Sequence, residues 1–125
     1  MPMTQKQKET LSKYRRRLQT VFNDALATMT ETGHARTWFV PYLAEVLAAY
    51  IEARTKKVEG KRLSSVISKN SRRAIRKLIN KSSNRDRKTR SRWAAAVDAA
   101  FSAGVTPEKL GPWLRDGGGV SGRAR

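Results

Sequence analysis

Cysteine is absent from the sequence, and His34 is its one histidine. A disulfide framework or a thiolate metal site therefore cannot form, and we expect neither a metal nor another cofactor. No stretch approaches the roughly 18 consecutive apolar residues of a membrane span. The first ten residues, MPMTQKQKET, also lack the apolar segment of a secretory signal. These absences lead us to expect a cytoplasmic protein with no membrane partner, associated with the nucleoid if its host is prokaryotic.

Acidic residues are scarce as well. The 125 residues include 27 Lys and Arg against 10 Asp and Glu, which gives a formal net charge of +17 and a pI near 11.3. Residues 54–92 alone hold sixteen basic and two acidic residues, a net +14. A charge excess confined to one segment is expected of a surface that binds nucleic acid, whereas charge that serves solubility would be spread more evenly.

Catalytic chemistry has few candidate residues here. His34 lies in the polar stretch TGHAR with no acidic residue beside it to orient the ring, as the general base of a nucleophile requires. The acidic residues are scattered and usually flanked by cations, whereas two-metal nucleases need clustered carboxylates. The sequence therefore predicts a protein that is not an enzyme.

Apolar residues recur at steps of three and four along most of the chain, which is the spacing of amphipathic helices. No segment alternates apolar and polar residues over four or more positions, so no strand is predicted. The expected fold is all-α, a compact bundle of about five helices in a single domain over residues 1–116. Residues 117–125 are predicted to form a flexible Gly/Arg tail, in which Arg123 and Arg125 are free to contact a polyanion. The predicted helices cover about 5–31, 37–55, 63–81, 84–104 and 106–116.

The third of these helices separates its charged residues from its apolar residues. At about 100° per residue, the cations lie on one face and the apolar side chains lie on the opposite face. Such a helix can bury one side in the core and offer the other to a phosphate backbone or a DNA groove. Asn70 and Ser71 lie in the middle of the pattern, so a break into two short helices is a second interpretation. The basic face comprises Arg62, Lys69, Arg72, Arg73, Arg76 and Lys77.

The next segment, residues 82–92, combines turn formers with five more cations and one acidic residue. Ser83 or Asn84 is expected to cap the following helix, with Asp86 in its first turn. Trp93 can stack on an unpaired base, but its position on an apolar stripe favours packing in the core. The nucleic-acid-binding residues predicted here are Arg85, Arg87, Lys88, Arg90 and Arg92.

These patterns favour a small protein that binds double-stranded DNA, as a transcription regulator or as an accessory factor that organises DNA for another machine. The planar guanidinium group of arginine can bind a phosphate through two hydrogen bonds. Neutralising phosphates also releases the counterions condensed on the nucleic acid, which favours binding. The same charge pattern is compatible with two other functions. One is an RNA-binding or ribonucleoprotein component, and the other is a non-enzymatic adaptor or inhibitor that docks an acidic protein.

A homodimer is one further expectation, because paired half-sites increase affinity for DNA. The apolar stripe of the first helix is the candidate dimer element. The same stripe can instead be used fully inside the monomer, and the sequence does not favour either arrangement.

Overall fold

The computed structural model describes residues 3–32 and 37–124. Over these ranges the protein is all-α apart from one short hairpin, which confirms the predicted fold class. It has seven helices there instead of about five, and five of them contain seven residues or more. His34 lies outside the described residues, as does Gly33, a glycine of the kind at which a helix over residues 5–31 is expected to end. The elements are α1 (Gln5–Thr32), α2 (Val40–Thr55), β1 (Lys57–Val58), β2 (Lys61–Arg62), α3 (Leu63–Ile67), α4 (Ser71–Ser82), α5 (Arg87–Ser102), a 3-10 turn (Pro107–Lys109), α6 (Leu110–Asp116) and α7 (Gly119–Arg123).

Helix α1 begins with a reciprocal capping pair. The backbone N–H of Thr4 donates to Oε1 of Gln7 at 2.9 Å, and the backbone N–H of Gln7 donates to Oγ1 of Thr4 at 3.2 Å. The pair satisfies two backbone donors that have no partner within the helix. Farther along, the apolar stripe of α1 is buried in the core of the same molecule, so the stripe is used inside the monomer. Its buried members are Tyr14, Leu18, Phe22 and Ala25.

Helix α2 is the central element of the bundle. Pro41 lies in its first turn. Backbone N–H groups there have no partner within the helix, so the N–H that proline lacks costs no hydrogen bond. The helix contacts α1, α3, α4, α5 and α6, as expected from its apolar residues on most sides. Arg17 of α1 binds Glu45 and Glu52 of α2, and so joins the polar margins of the two helices. The buried residues of α2 are Tyr42, Leu43, Val46, Leu47, Ala49, Tyr50 and Ala53.

The Tyr42 side chain provides the main buried polar contact between α2 and α4. Its hydroxyl lies 2.5 Å from Oγ of Ser82, and Ser82 donates to the carbonyl of Leu78 at 2.7 Å. Because the Ser82 proton is used in that bond, the Tyr42 hydroxyl is the donor to Ser82. Burial is the main cause that raises the pKa of Tyr42 to about 12, and the neighbouring Ser82 and Ser83 side chains oppose it only in part.

This raised pKa predicts a loss of stability in alkali. Folding favours the neutral phenol, so the contribution of Tyr42 is complete below pH 10 and is lost as the pH rises towards about 12. The total loss is about 3 kcal/mol in the free energy of unfolding. Urea unfolding between about pH 8.5 and pH 11.5 should show most of this fall, about 2 kcal/mol, in the wild type.

A Tyr42→Phe variant is the matched comparison. It should start about 1 kcal/mol less stable at pH 8.5 because the hydrogen bond to Ser82 is lost. Its free energy of unfolding should then decrease less steeply with pH than that of the wild type. Parallel pH dependences in the two proteins would show that the prediction is wrong.

A hairpin that the sequence analysis did not predict follows α2. Lys57 pairs with Arg62, and Val58 pairs with Lys61. The two turn residues, Glu59 and Gly60, both have positive φ, 55° and 79°, which matches a tight two-residue hairpin turn. Strands of two residues are too short to show an alternating pattern, which explains why the sequence did not reveal them.

The predicted helix over residues 63–81 is interrupted, so the interpretation as two short helices is correct. Ser68 is extended, with φ −170° and ψ 148°, and Asn70 caps α4 by accepting a hydrogen bond from the backbone N–H of Arg73 at 2.9 Å. An asparagine cap is a strong signal for a helix start. Nζ of Lys77 donates to the last carbonyl of α3, that of Ile67, at 3.0 Å.

The C-terminal segment forms a short helix where the sequence analysis predicted a flexible tail. Helix α7 packs on α5 and α6. The Arg123 guanidinium lies 3.9 Å from the centre of the Trp113 ring, and its Nε and Nη2 donate to the Trp113 carbonyl at 3.0 and 2.8 Å. A Cβ on Gly122 would lie 2.0 Å from the carbonyl oxygen of Gly117, so this close turn needs glycine. Arg123 is therefore engaged with Trp113, contrary to the expectation that it is free for a polyanion.

Candidate nucleic-acid interface

Helix α4 turns its cations away from the core, as the sequence predicts. Its buried residues are Ala74, Ile75, Leu78, Ile79 and Ser82. The apolar side packs against α1, α2 and α5, so the opposite side is left to solvent. The exposed residues of α4 are Arg72, Arg73, Arg76, Lys77, Asn80 and Lys81.

Asp98 of α5 contacts the start of α4. Its Oδ1 accepts a hydrogen bond from Oγ of Ser71 at 2.5 Å, and its Oδ2 lies 3.5 Å from Nε of Arg72. The carboxylate is mostly buried, whereas the Arg72 side chain is 58% exposed. Asp98 therefore links the start of α4 to α5 and partly neutralises Arg72.

Helix α5 begins at Arg87, and Asp86 occupies the cap position that the sequence analysis expected at Ser83 or Asn84. The polar groups of Thr89 nearby lower the pKa of the exposed Asp86 carboxyl. A carboxylate at this position also interacts favourably with the helix dipole. Arg87 and Lys88, in the first turn, are both exposed.

A surface pocket of about 210 Å³ lies between α4 and α5. It combines three arginines with two neutral side chains that can donate hydrogen bonds. Arg90 is half-buried, and its Nε is inaccessible to solvent and has no hydrogen-bond partner among the described residues. The pocket is lined by Arg76, Asn80, Arg87, Arg90 and Ser91. Two helices thus bring together residues that are separated by up to fifteen positions in sequence.

Eight of the eleven predicted binding residues do not line this pocket, and four of these eight lie outside α4 and the first turn of α5. Arg62 belongs to strand β2, and Lys69 lies in the turn between α3 and α4, because the predicted single helix is interrupted. Arg92 lines a different cleft, together with Trp93, Phe39 and Arg115. On α5, Arg90 and Arg92 are two positions apart and therefore about 200° apart around the helix axis. The eleven predicted cations therefore do not all lie on one face of the fold.

Arg85, the fourth, packs on the aromatic core. Its guanidinium lies 5.1 Å from the centre of the Trp38 ring and 6.0 Å from that of Phe22. The side chain is half-buried, and its Nε has no hydrogen-bond partner in the described part of the chain. Cation–π contacts of this kind stabilise the connection between α4 and α5. Arg85 therefore has a packing role that its sequence neighbourhood, rich in other cations, did not indicate.

Ser91 is a pocket residue that the sequence analysis missed. The available signal was local, because Arg87, Arg90 and Ser91 are spaced at i, i+3 and i+4 and so share one face of α5. No spacing in the sequence connects that face to Arg76 and Asn80 of α4. The packing of the two helices makes this connection.

Trp93 lies in the core, as its position on an apolar stripe predicted. It is 4% exposed, and its ring stacks on Phe39 with centroids 5.4 Å apart. It also contacts Trp38 and Tyr42, at 6.0 and 5.8 Å between ring centroids. The ring is therefore not available for stacking on a nucleic-acid base in this conformation.

No protein-family model, curated protein or solved structure matches the chain, so the comparisons give no role for this surface. Within residues 3–32 and 37–124, no group of three or more His, Cys, Asp or Glu side chains is arranged to hold a metal ion. In the same residues, no helix is both long enough and apolar enough to cross a membrane.

Proposed function

We propose that this protein is a small non-enzymatic protein that binds double-stranded DNA, as a regulator or accessory factor, through the cations of α4 and of the start of α5. One observation carries the proposal. Seven of the predicted binding cations lie exposed or half-exposed in these segments, and Arg72 is the only one of the seven with an acidic partner among the described residues. Unpaired cations concentrated on one part of a fold bind phosphates with a gain from counterion release. The seven are Arg72, Arg73, Arg76, Lys77, Arg87, Lys88 and Arg90.

Duplex DNA fits this surface better than single-stranded nucleic acid. Proteins that bind unpaired bases present exposed aromatic rings for stacking. In the described part of the chain Met3 is the one large hydrophobic side chain that is exposed, and no aromatic ring is. Helix α4 has twelve residues and a length of about 18 Å, which suits the major groove of B-DNA, about 12 Å wide.

The proposal is tested by fluorescence-anisotropy titration of the full chain against random duplex DNA, single-stranded DNA and structured RNA at several salt concentrations. We expect the tightest binding to duplex DNA, with an affinity that decreases steeply as salt rises. Tighter binding to RNA would instead support a ribonucleoprotein component. Negligible binding to all three near physiological salt would refute nucleic-acid binding and favour an acidic protein partner.

Asp98 provides a test in which affinity should increase. Replacing it by Asn removes the negative charge beside Arg72 while keeping an acceptor for the Ser71 hydroxyl. We expect duplex affinity to rise by roughly three- to tenfold at low salt, because one more cation becomes available to phosphates. The free energy of unfolding should decrease by about 1 kcal/mol as the ion pair is lost.

The control for this change is Asp116→Asn, which alters the net charge equally at an exposed position on α6. A smaller gain in affinity for Asp116→Asn would localise the effect to the surface near Arg72. An equal gain in both variants would indicate that only the net charge of the protein matters.

A further inference from the structure

We propose that the pocket between α4 and α5 is a discrete site for a single phosphate group, and that it anchors one backbone phosphate of the bound DNA. This inference rests on the proposed function for the source of the phosphate, but the chemistry of the pocket is independent of it. The pocket differs from the rest of the basic surface because it is concave and its lining comes from two helices.

The lining has the donor set of an oxyanion site. Arg76, Arg87 and Arg90 supply guanidinium groups, which bind phosphate oxygens through paired N–H donors. The Asn80 amide and the Ser91 hydroxyl add neutral donors. A volume of about 210 Å³ holds a phosphate group with room for the adjoining chain of a diester. Among the described residues no acidic side chain lines the pocket, so an entering anion meets no repulsion from a carboxylate of this part of the chain.

Two features of the free protein favour an anion in this pocket. The first is the Nε of Arg90, which is inaccessible to solvent and has no acceptor among the described residues. A buried donor in this condition destabilises the folded state, and a small rotation of the Arg90 side chain towards a bound anion would give it an acceptor. The second is the mutual repulsion of three guanidinium groups around one small volume, which an anion relieves. Binding of phosphate should therefore stabilise the fold.

The experiment uses a double variant that leaves the charge unchanged, Asn80→Ala with Ser91→Ala. Both residues line the pocket, and neither is part of the buried core. For the wild type we expect inorganic phosphate to raise Tm above the value in chloride at equal ionic strength, and this rise should be absent in the variant. Duplex affinity in the variant should fall on the order of tenfold, because two donors to one phosphate are lost. Its salt dependence should keep the wild-type slope, since every cation remains.

The matched control is Asn23→Ala with Ser102→Ala, which removes the same two side-chain types from exposed positions on α1 and α5. It should retain the response to phosphate and the duplex affinity of the wild type. A second pocket variant, Ser91→Asp, puts a carboxylate beside the three arginines. In the absence of phosphate, we expect this variant to have a higher Tm than the wild type. Added phosphate should cause no further rise in the Tm of the variant.

The outcomes separate this inference from the proposed function. An equal phosphate response in the wild type and in the Asn80→Ala, Ser91→Ala variant would overturn the pocket site, even if both proteins bind duplex DNA. A phosphate response that requires Asn80 and Ser91, in a protein that does not bind duplex DNA, would refute the proposed function. The pocket would then stand as a site for a phosphate group from another source.

Discussion

Replacing Arg73, Arg76 and Arg87 by Gln is expected to weaken binding to duplex DNA on the order of 10²–10³-fold at about 0.1 M salt. All three side chains are exposed, and none has an acidic partner among the described residues. Each phosphate contact contributes about 0.9 to the slope of log affinity against log salt, so the slope should become less steep by about 2.7. Anisotropy titrations at four or more salt concentrations measure both quantities.

The fold should survive this change, because the three side chains contribute little to the core. Circular dichroism should show an unchanged helical signal. A variant that loses its fold would show that these arginines are structural and would remove them from the proposed DNA-binding surface.

The control for the charge itself is Lys6, Lys13 and Arg16 replaced by Gln. These three cations are exposed on the side of α1 opposite its buried stripe, and their replacement changes the net charge by the same amount. We expect a loss of affinity at least tenfold smaller than that of the α4–α5 variant. Equal losses in the two variants would mean that DNA binds the whole protein surface without using α4 and α5.

Trp93→Ala should have the largest effect on stability, a decrease of about 3–5 kcal/mol in the free energy of unfolding. The ring is buried, stacks on Phe39 and contacts Trp38 and Tyr42. Its removal leaves a cavity between α2 and α5. Since small domains have a total stability of only about 5–15 kcal/mol, the variant should be close to unfolding at room temperature. Urea unfolding monitored by circular dichroism measures the change.

Trp113→Ala is the comparison for Trp93. The Trp113 ring is half-buried, and one of its faces is covered by Arg123, so we expect a smaller decrease of about 1–2 kcal/mol. Once the folded fraction is taken into account, the duplex affinity of Trp93→Ala should equal that of the wild type. A specific loss of affinity for single-stranded DNA in this variant would instead show that Trp93 stacks on bases.

The periodicity of the chain was sufficient to predict the main helices and their buried sides. The stripe of α1, the nearly all-apolar α2 and the opposed faces of α4 all follow from residue spacing along one helix. The position of Trp93 in the core follows from the same argument. These features depend on interactions within about one turn of helix, so they are encoded locally.

Features of one or two turns were predicted poorly. The Glu59–Gly60 hairpin and the short helix α7 contain too few residues to produce a periodic signal, and both depend on packing against distant parts of the chain. The hairpin is held to α1 by a hydrogen bond from Nε2 of Gln7 to the carbonyl of Val58, at 3.0 Å. Helix α7 is held by the contacts of Arg123 with Trp113.

The amino-acid sequence alone determined that this protein is helical, strongly basic and basic mainly over residues 54–92. The tertiary structure decided which of those cations pack on the core, which pair with an acidic residue and which line the pocket. It directs Arg85 onto an aromatic cluster, pairs Arg72 with Asp98 and groups Arg76 with Arg90. The physical reason is that charge is a property of each residue, whereas its availability depends on which helices pack together and on the angle at which each side chain leaves its helix.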